Sequence, residues 1–258
     1  GTGFLVQYKI AQEKYVPFIV TAKHVLGDFK KVYARFNSNE EGKLAFVEYD
    51  LESIKKAGDY FENPDSGVDI AVFRTLHFNA TKYEAIPMEM IAKKVDFASE
   101  DIKQTDKVIF PGLLINFLGS SKNFPIMRDG TIALIPSEKV PISYLVGSNK
   151  INTQQELIFL NSMAIQGLSG SPIFLWPGPR LKNGSFNIGG GRYFLLGVMH
   201  GFYPAIPREV NKIETTDAKY SYSDNSGVAI VFPSWRLREI FEMDSFKKRI
   251  EEITKDMK

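Results

Sequence analysis

The sequence of 258 residues contains no cysteine. This absence excludes disulfide bonds, thiol nucleophiles and cysteine-ligated metal sites. It favours a cytoplasmic location, and a periplasmic or secreted location stays open. Only three histidines are present, and none has a metal-ligand spacing with carboxylates, so we expect neither a metal nor another cofactor.

An excess of charge of one sign is also lacking. Lys and Arg number 32 and Asp and Glu number 30, which gives a formal net charge of +2. This balance gives no reason to expect a nucleic-acid partner. No run approaches the ~18 consecutive apolar residues of a membrane-spanning helix. With 44% apolar and 24% charged residues, the composition is typical of a soluble globular protein that buries a sizeable core.

One serine stands in an unusual local setting. Ser169 lies between Gly167 and Gly170, and the apolar run 172–176 follows. Glycines allow a sharp bend that projects the hydroxyl and brings backbone N–H groups close to an incoming carbonyl. Nucleophilic acyl transfer needs this arrangement, but the same pattern is also typical of an ordinary turn before a strand.

Two segments upstream favour the catalytic interpretation. His24 follows the apolar run 16–20, and Asp69 stands directly before an apolar, strand-like segment. A serine hydroxyl is a poor nucleophile at neutral pH and needs a neighbouring base, a role that imidazole can fill. Asp28 and Asp65 lie in turn-like contexts, so we expect Asp69 to be the acid that orients the histidine.

Four motifs in this order resemble those of the trypsin-like (chymotrypsin-fold) serine peptidases, and most closely the compact bacterial branch without disulfides. They are Gly-Thr-Gly-Phe at residues 1–4, Thr-Ala-x-His ending at His24, Asp-Ile-Ala-Val beginning at Asp69, and Gly-x-Ser-Gly-x-Pro around Ser169. The order His, Asp, Ser fits this family and differs from the orders in subtilisin-like enzymes and α/β-hydrolases. The resemblance extends to Phe232 and implies a serine endopeptidase.

Under this resemblance, His24 is the general base, Asp69 fixes its tautomer, and Ser169 is the nucleophile that forms an acyl-enzyme with a protein or peptide substrate. The backbone N–H groups of Gly167 and Ser169 would form the oxyanion hole. An alternative stays open, in which the barrel is a binding or regulatory module with conditional or no proteolytic activity. The polar insertion 204–226 could cover the cleft or await a partner.

The resemblance also places a set of residues in the substrate-binding region: Met163, Ala164, His200, Gly201 and Ala229. Met163 stands where trypsin has its pocket aspartate, which predicts a modest apolar pocket without a fixed charge. Glutamate-specific relatives use a histidine near position 200, but His200 falls one residue later. Because one residue reverses the face of a strand side chain, His200 either lines the pocket or faces Asp69.

Leu168 replaces the aspartate that pairs with a freed N-terminus in digestive enzymes. We therefore expect this chain not to use that activation switch.

Short apolar segments between polar turns predict an all-β protein with two antiparallel barrels and C-terminal helices. We expect an N-terminal barrel over 1–95, a second barrel over 96–233 and a helical tail over 234–258. The first barrel has five predicted strands: 3–8, 15–21, 31–36, 44–49 and 68–75. The first two are expected to form a hairpin around residues 11–14. Since the family has six, we expect a strand before Gly1 to be missing. The second barrel has six: 108–111, 125–135, 157–163, 172–176, 193–201 and 227–233. Residues 76–105, with His77, are interpreted as a linker.

The tail is predicted to be helical. Ser234 and Ser245 are the predicted N-caps of two helices, because serine accepts hydrogen bonds from the free N–H groups of a first turn. The second helix has an apolar stripe at helical spacing: Phe246, Ile250, Ile253 and Met257. Docking of this stripe on the rest of the chain is favoured, and contact with a partner protein is the alternative. The sequence does not predict the oligomeric state.

Overall fold

The N-terminal half consists mainly of short strands. The computed structural model describes residues 1–75, 81–135, 137–189, 192–204 and 225–256. Strands β1–β8 are Gly3–Ala11, Lys14–Thr21, Lys31–Ser38, Leu44–Asp50, Tyr60–Glu62, Ala71–Arg74, Thr81–Lys82 and Ala85–Pro87. Strands β1 and β2 pair antiparallel through a turn that contains Glu13 at a φ of 60°. The predicted first hairpin is therefore confirmed.

These strands form two sheets. One has five strands in the order β5-β6-β2-β1-β8, and the other has three in the order β4-β3-β7. The outer edge of β1 is paired only with the short parallel strand β8, and that of β3 only with the two-residue strand β7. No strand of the described part of this half therefore joins the two sheets, and the predicted first barrel is not closed there.

The second half contains a closed barrel. Strands β9–β18 are Lys107–Leu113, Pro125–Leu134, Val140–Val146, Asn149–Gln155, Ile158–Asn161, Pro172–Leu175, Arg180–Lys182, Ser185–Asn187, Leu195–Pro204 and Asn225–Pro233. Six of them close in the order β10-β13-β18-β17-β14-β9. All six correspond to predicted strands. The sequence did not predict the hairpins β11–β12 and β15–β16.

Short helices connect the strands. Helices α1, α2 and α3 are Lys23–Leu26, Leu51–Lys56 and Lys94–Ser99. The predicted linker 76–105 therefore contains α3, strands β7 and β8 and a 3-10 turn at Met88–Met90, so it is more structured than expected. His77 and residues 205–224 of the insertion lie outside the described residues.

Two helices follow the barrel: α4 is Ser234–Glu242 and α5 is Asp244–Asp256. Neither predicted cap is correct. The Ser234 hydroxyl donates to the Ala92 carbonyl oxygen at 2.8 Å, and Ser245 lies inside α5 because that helix begins one residue earlier. In the described part of the chain, no helix combines the length and the apolarity that a membrane crossing requires.

The apolar stripe of α5 packs on the N-terminal half, as predicted. Phe246 is fully buried, and its ring centroid lies 5.1 Å from that of Phe18 and 4.9 Å from that of Phe61. Arg249 adds an ion pair with Asp59, with 2.8 Å between Nε and Oδ1. The main core cluster thus joins both halves and the C-terminal helices, while Met257 lies beyond the described residues.

Candidate active site

His24 is positioned by its own backbone. Strand β2 ends at Thr21, and the single-turn helix α1 begins directly afterwards. The His24 N–H group donates to Asp69 Oδ1 at 2.8 Å, and the buried Lys23 ammonium donates to the Ser66 carbonyl oxygen at 2.8 Å. These bonds fix the segment that carries the imidazole against the loop that carries the carboxylate.

The Asp69 carboxylate binds two imidazoles. Its side chain is fully buried, and Oδ2 lies 2.6 Å from Nδ1 of His24 and 2.5 Å from Nδ1 of His200. Burial alone would raise the pKa of the Asp69 carboxyl, but the hydrogen bonds from His200 and His24 outweigh it and lower the pKa to about 2. The carboxylate is therefore ionised at neutral pH, and His200 faces Asp69, which was one of the two alternatives from the sequence.

The hairpin β11–β12 holds the loop that leads to Asp69. The Tyr144 hydroxyl donates to the Gly67 carbonyl oxygen at 3.0 Å, and Gln155 Nε2 donates to Asp65 Oδ2 at 3.1 Å. A Cβ on Gly67 would overlap the side chain of Thr153, so the loop lies directly on the hairpin. Sequence reasoning missed this support, although the inward spacing of Ile142 and Tyr144 was a signal for a strand.

The loop of residues 167–171, called the nucleophile loop after the role expected of Ser169, bends at two glycines. Gly167 has a φ of +101° and Gly170 a φ of +88°, values that L side chains rarely adopt. Ser169 between them is half-buried, and its hydroxyl donates to the backbone carbonyl oxygen of His200 at 2.9 Å. Within the described ranges, this hydroxyl makes no hydrogen bond with His24, so the expected contact between nucleophile and base is not formed.

Two backbone donors of this loop have no acceptor. Among the described residues, neither the Gly167 N–H group nor the Ser169 N–H group is hydrogen-bonded. The neighbouring Gly170 N–H, by contrast, donates to the Met199 carbonyl oxygen at 2.7 Å. Free N–H groups flanking a nucleophile can stabilise an oxyanion, as the sequence predicts for this pair.

Thr2 ties the nucleophile loop to the N-terminal half. Its N–H group donates to the Ser169 carbonyl oxygen at 2.7 Å, and its hydroxyl donates to the Gly167 carbonyl oxygen at 2.5 Å. The hydroxyl also accepts the Leu113 N–H at 3.2 Å. The sequence singled out the motif that contains Thr2 but not this role, because its partners lie more than a hundred positions away.

The predicted substrate-binding residues do not share one environment. Met163 is 54% exposed, whereas Ala164 and Ala229 are buried in the barrel core. The imidazole of His200 belongs to the Asp69 cluster, and the side of Gly201 where a Cβ would stand is open. The pocket that the resemblance implies therefore stays a prediction. Leu168 is fully buried in the same core, which explains how an apolar residue can anchor this loop.

The cluster of His24, Asp69 and His200 has donor types that bind metals, with ligand atoms within 4.8 Å of one another. Each imidazole Nδ1, however, lies 2.5–2.6 Å from the same carboxylate oxygen. Two ligands of one tetrahedral zinc ion, each about 2.0 Å from the metal, would stand more than 3 Å apart. These nitrogen and oxygen atoms are thus hydrogen-bonded to one another, at a spacing too short for two ligands of one tetrahedral zinc ion.

A groove of about 870 Å³ adjoins the nucleophile loop at Thr2 and Pro172. Its walls carry aromatic side chains of strands β3 and β4, including Tyr33 and Phe46. Neither a protein-family model nor a curated protein matches the chain significantly. The interpretation of the site therefore depends on its geometry and on the motifs.

Proposed function

We propose that the chain is a serine endopeptidase that hydrolyses peptide bonds through an acyl-enzyme. The observation that carries the proposal is the fully buried Asp69 carboxylate, which holds His24 Nδ1 at 2.6 Å. This arrangement stands beside a serine at a glycine bend with two free N–H donors. A serine, a histidine and a buried carboxylate in these roles form the machinery of acyl transfer.

Each step follows from the atoms at the site. Because Nδ1–H of His24 donates to Asp69, Nε2 of the neutral imidazole is free to accept a proton. It takes the proton of Ser169 while Oγ attacks the carbonyl carbon, and the N–H groups of Gly167 and Ser169 bind the resulting oxyanion. His24 then returns the proton to the leaving amine as the C–N bond breaks. Water attacks the carbonyl carbon of the acyl-enzyme while His24 takes its proton, and His24 passes that proton to Ser169 Oγ as the ester bond breaks and the acid product leaves.

The Ser169 hydroxyl must turn before it can react. It donates to the His200 carbonyl oxygen, and a rotation about its Cα–Cβ bond would redirect it. Hydrogen bonds of catalytic groups often tighten only in the substrate complex. The proposal therefore includes a resting arrangement in which the nucleophile is held away from its base.

The architecture supports the trypsin-like assignment in outline. One closed barrel of six strands carries Ser169, and the sheets of the N-terminal half carry His24 and Asp69. We propose that the two N-terminal sheets correspond to the first barrel of the trypsin-like fold. The aromatic groove next to Thr2 has room for part of an extended peptide substrate.

A binding or regulatory module is the second candidate function. It is favoured by one observation, the engagement of the Ser169 hydroxyl with His200 instead of His24. In such a module the three groups would never align for catalysis. The two candidates differ in whether Ser169 reacts with an electrophile.

Labelling with a fluorophosphonate probe distinguishes them. We expect one label per chain, on Ser169, and hydrolysis of members of a peptide library by the same preparation. Ser169→Ala should abolish both while circular dichroism stays unchanged. Ser171→Ala is a matched control, because that buried hydroxyl has no hydrogen-bond partner among the described residues, and it should label as the wild type does. An unlabelled wild type would contradict the peptidase proposal.

The peptide library also tests specificity. We propose cleavage after uncharged residues, because Met163 offers no carboxylate and burial of an unpaired cation costs several kcal/mol. Glutamate or glutamine specificity through His200 is the competing proposal, and the engagement of His200 with Asp69 argues against it. Efficient cleavage after arginine would contradict both.

A further inference from the structure

The hairpin β15–β16 exposes one apolar face. Its strands Arg180–Lys182 and Ser185–Asn187 pair antiparallel, with Leu181 opposite Phe186. Side chains of directly paired residues lie on the same face of a sheet, and every second residue along a strand shares that face. Leu181 and Phe186 are 55% and 67% exposed, and Ile188, two positions after Phe186, is 82% exposed. We call these three side chains the outer face of the hairpin.

The opposite face carries the charged residues and is bound to the body of the protein. Arg180 Nη1 lies 3.0 Å from Asp106 Oδ2, and both side chains are largely buried. Lys182, two positions after Arg180, forms an ion pair with Glu100. A surface hairpin normally buries its apolar side chains and exposes its charged ones, and here the two faces are reversed. The ion pairs hold the hairpin in this orientation, because turning it over would leave buried charges without partners.

We propose that the outer face of the hairpin inserts into the surface of a phospholipid bilayer and that the protein binds membranes peripherally through it. Single exposed apolar residues are normal on a soluble protein, but neighbouring ones on one face mark a contact surface. The inference goes beyond the proposed peptidase activity and does not depend on it.

The size and chemistry of the outer face favour lipid over a protein partner. Its three side chains offer on the order of 300 Å² of apolar surface, whereas a standard protein interface buries ~800 Å² on each partner. A protein interface also contains about one hydrogen bond per 100–200 Å², and Leu, Phe and Ile side chains offer neither donor nor acceptor. Shallow insertion at the boundary between headgroups and acyl chains needs neither a large area nor hydrogen-bonding partners.

The charges of this part of the chain also suit lipid headgroups. The sequence from 157 to 208 contains no Asp or Glu, and its four cations include Arg180, Lys182 and the exposed Arg192. Carboxylates on this segment would be repelled by lipid phosphates and would be costly to bring near the acyl chains. The two acids that bind the hairpin, Glu100 and Asp106, are each paired with one of its cations.

Sedimentation with sucrose-loaded vesicles measures the binding. We expect the chain to pellet with vesicles of phosphatidylcholine, and more strongly when phosphatidylglycerol is added, but not to pellet alone. Phe186→Ser and Ile188→Ser should each lower the partition coefficient about ten-fold or more, because each removes one apolar side chain from the contact. Phe46→Ser is the matched control, since Phe46 is also 67% exposed but lies on strand β4 of the other half. It should bind as the wild type does.

A tryptophan at position 186 reports insertion directly. In Phe186→Trp, vesicles should shift the added fluorescence to shorter wavelength, and phosphatidylcholine with brominated acyl chains should quench it. Phe46→Trp should show neither effect beyond the change seen in the wild type, whose Trp176 and Trp235 give the background. Quenching confined to position 186 identifies the hairpin as the inserted element.

Absence of binding to both kinds of vesicle would overturn the inference. Equal losses in Phe186→Ser and Phe46→Ser would do so as well, and so would release of the chain by high salt, which indicates adsorption by charge alone. A dimer in lipid-free sedimentation velocity that Phe186→Ser abolishes would show that a second copy covers the face instead. Fluorophosphonate labelling of Ser169 should be the same in Phe186→Ser and the wild type. A chain that binds vesicles but is not labelled would contradict the proposed function alone.

Discussion

Replacing Gly170 with alanine tests the geometry of the nucleophile loop. The residue has a φ of +88°, and a conformation of this kind costs an L-residue roughly 1–2 kcal/mol. A Cβ there would overlap the Thr2 carbonyl oxygen and stand 2.5 Å from Thr21 Oγ1. Relief of the overlap breaks the bonds from Thr2 N–H to the Ser169 carbonyl and from the Thr21 hydroxyl to the Thr2 carbonyl, at ~1 kcal/mol each. We expect a total loss of about 3–4 kcal/mol.

Gly184→Ala is the matched control. Gly184 has a similar φ of +76°, and, apart from its two chain neighbours, no atom of the described residues lies within 4 Å of where its Cβ would stand. Gly184→Ala therefore introduces the same kind of backbone strain, and it also reduces the conformational freedom of the unfolded chain, as any Gly→Ala change does. It introduces no overlap between the new Cβ and neighbouring atoms. Its expected loss is at most about 1–2 kcal/mol.

Guanidinium unfolding measures the loss of stability, provided that the variants have the same m-value. The rate of fluorophosphonate labelling measures the effect on the reactivity of Ser169. Gly170→Ala should unfold at lower denaturant than Gly184→Ala by an amount equivalent to about 2 kcal/mol, and it should label much more slowly. Equal stability of the two variants within about 0.5 kcal/mol would refute the close approach of Gly170 and Thr2.

Three further predictions concern the supports of the site. Thr2→Val removes the hydroxyl bonded to Gly167; we expect slower fluorophosphonate labelling and a loss of about 1–2 kcal/mol, and Thr2→Ser should restore both. Phe246→Ala should cost about 3–5 kcal/mol in urea unfolding, whereas the exposed Phe186→Ala should cost less than about 0.5. Because the pKa of Asp69 is lowered from 3.8 to about 2, its ionised form stabilises the fold by about 2 kcal/mol above pH ~4, and this is lost as the pH falls towards ~2. Unfolding of Asp69→Asn should lack this step, and an identical pH profile would contradict it.

Local periodicity was enough to predict the barrel. Its six strands and the first hairpin are short apolar segments bounded by turn residues, and such signals depend only on neighbours in sequence. The bend at residues 167 and 170 could also be predicted, because a backbone with positive φ favours glycine at that position of the sequence. The placement of His24 and Asp69 at the ends of such segments followed from the same reading and the family motifs.

Contacts between distant segments could not be predicted in this way. Whether a second imidazole binds Asp69 depends on which face of its strand the His200 side chain lies on. The sequence allowed either face. The partner of the Ser169 hydroxyl is a backbone atom 31 positions away, which carries no residue-type signal. The hairpin β11–β12 was missed because its second strand, 149–155, is almost entirely polar. The predicted first barrel failed to close because no strand bridges the outer edges of β1 and β3 in the described chain.

The position of α5 determines when the candidate site can form during protein synthesis. Phe246 and Ile250 complete the core around strands β1, β2 and β5, which leave the ribosome long before this helix is made. The hydrogen-bond partner of the Thr2 hydroxyl, in the loop around Ser169, is likewise synthesised more than 160 positions later. A nascent chain that ends before Asp244 therefore has His24 and Asp69 without the packing that fixes them. The arrangement delays assembly of the candidate site until nearly the whole described chain has been translated.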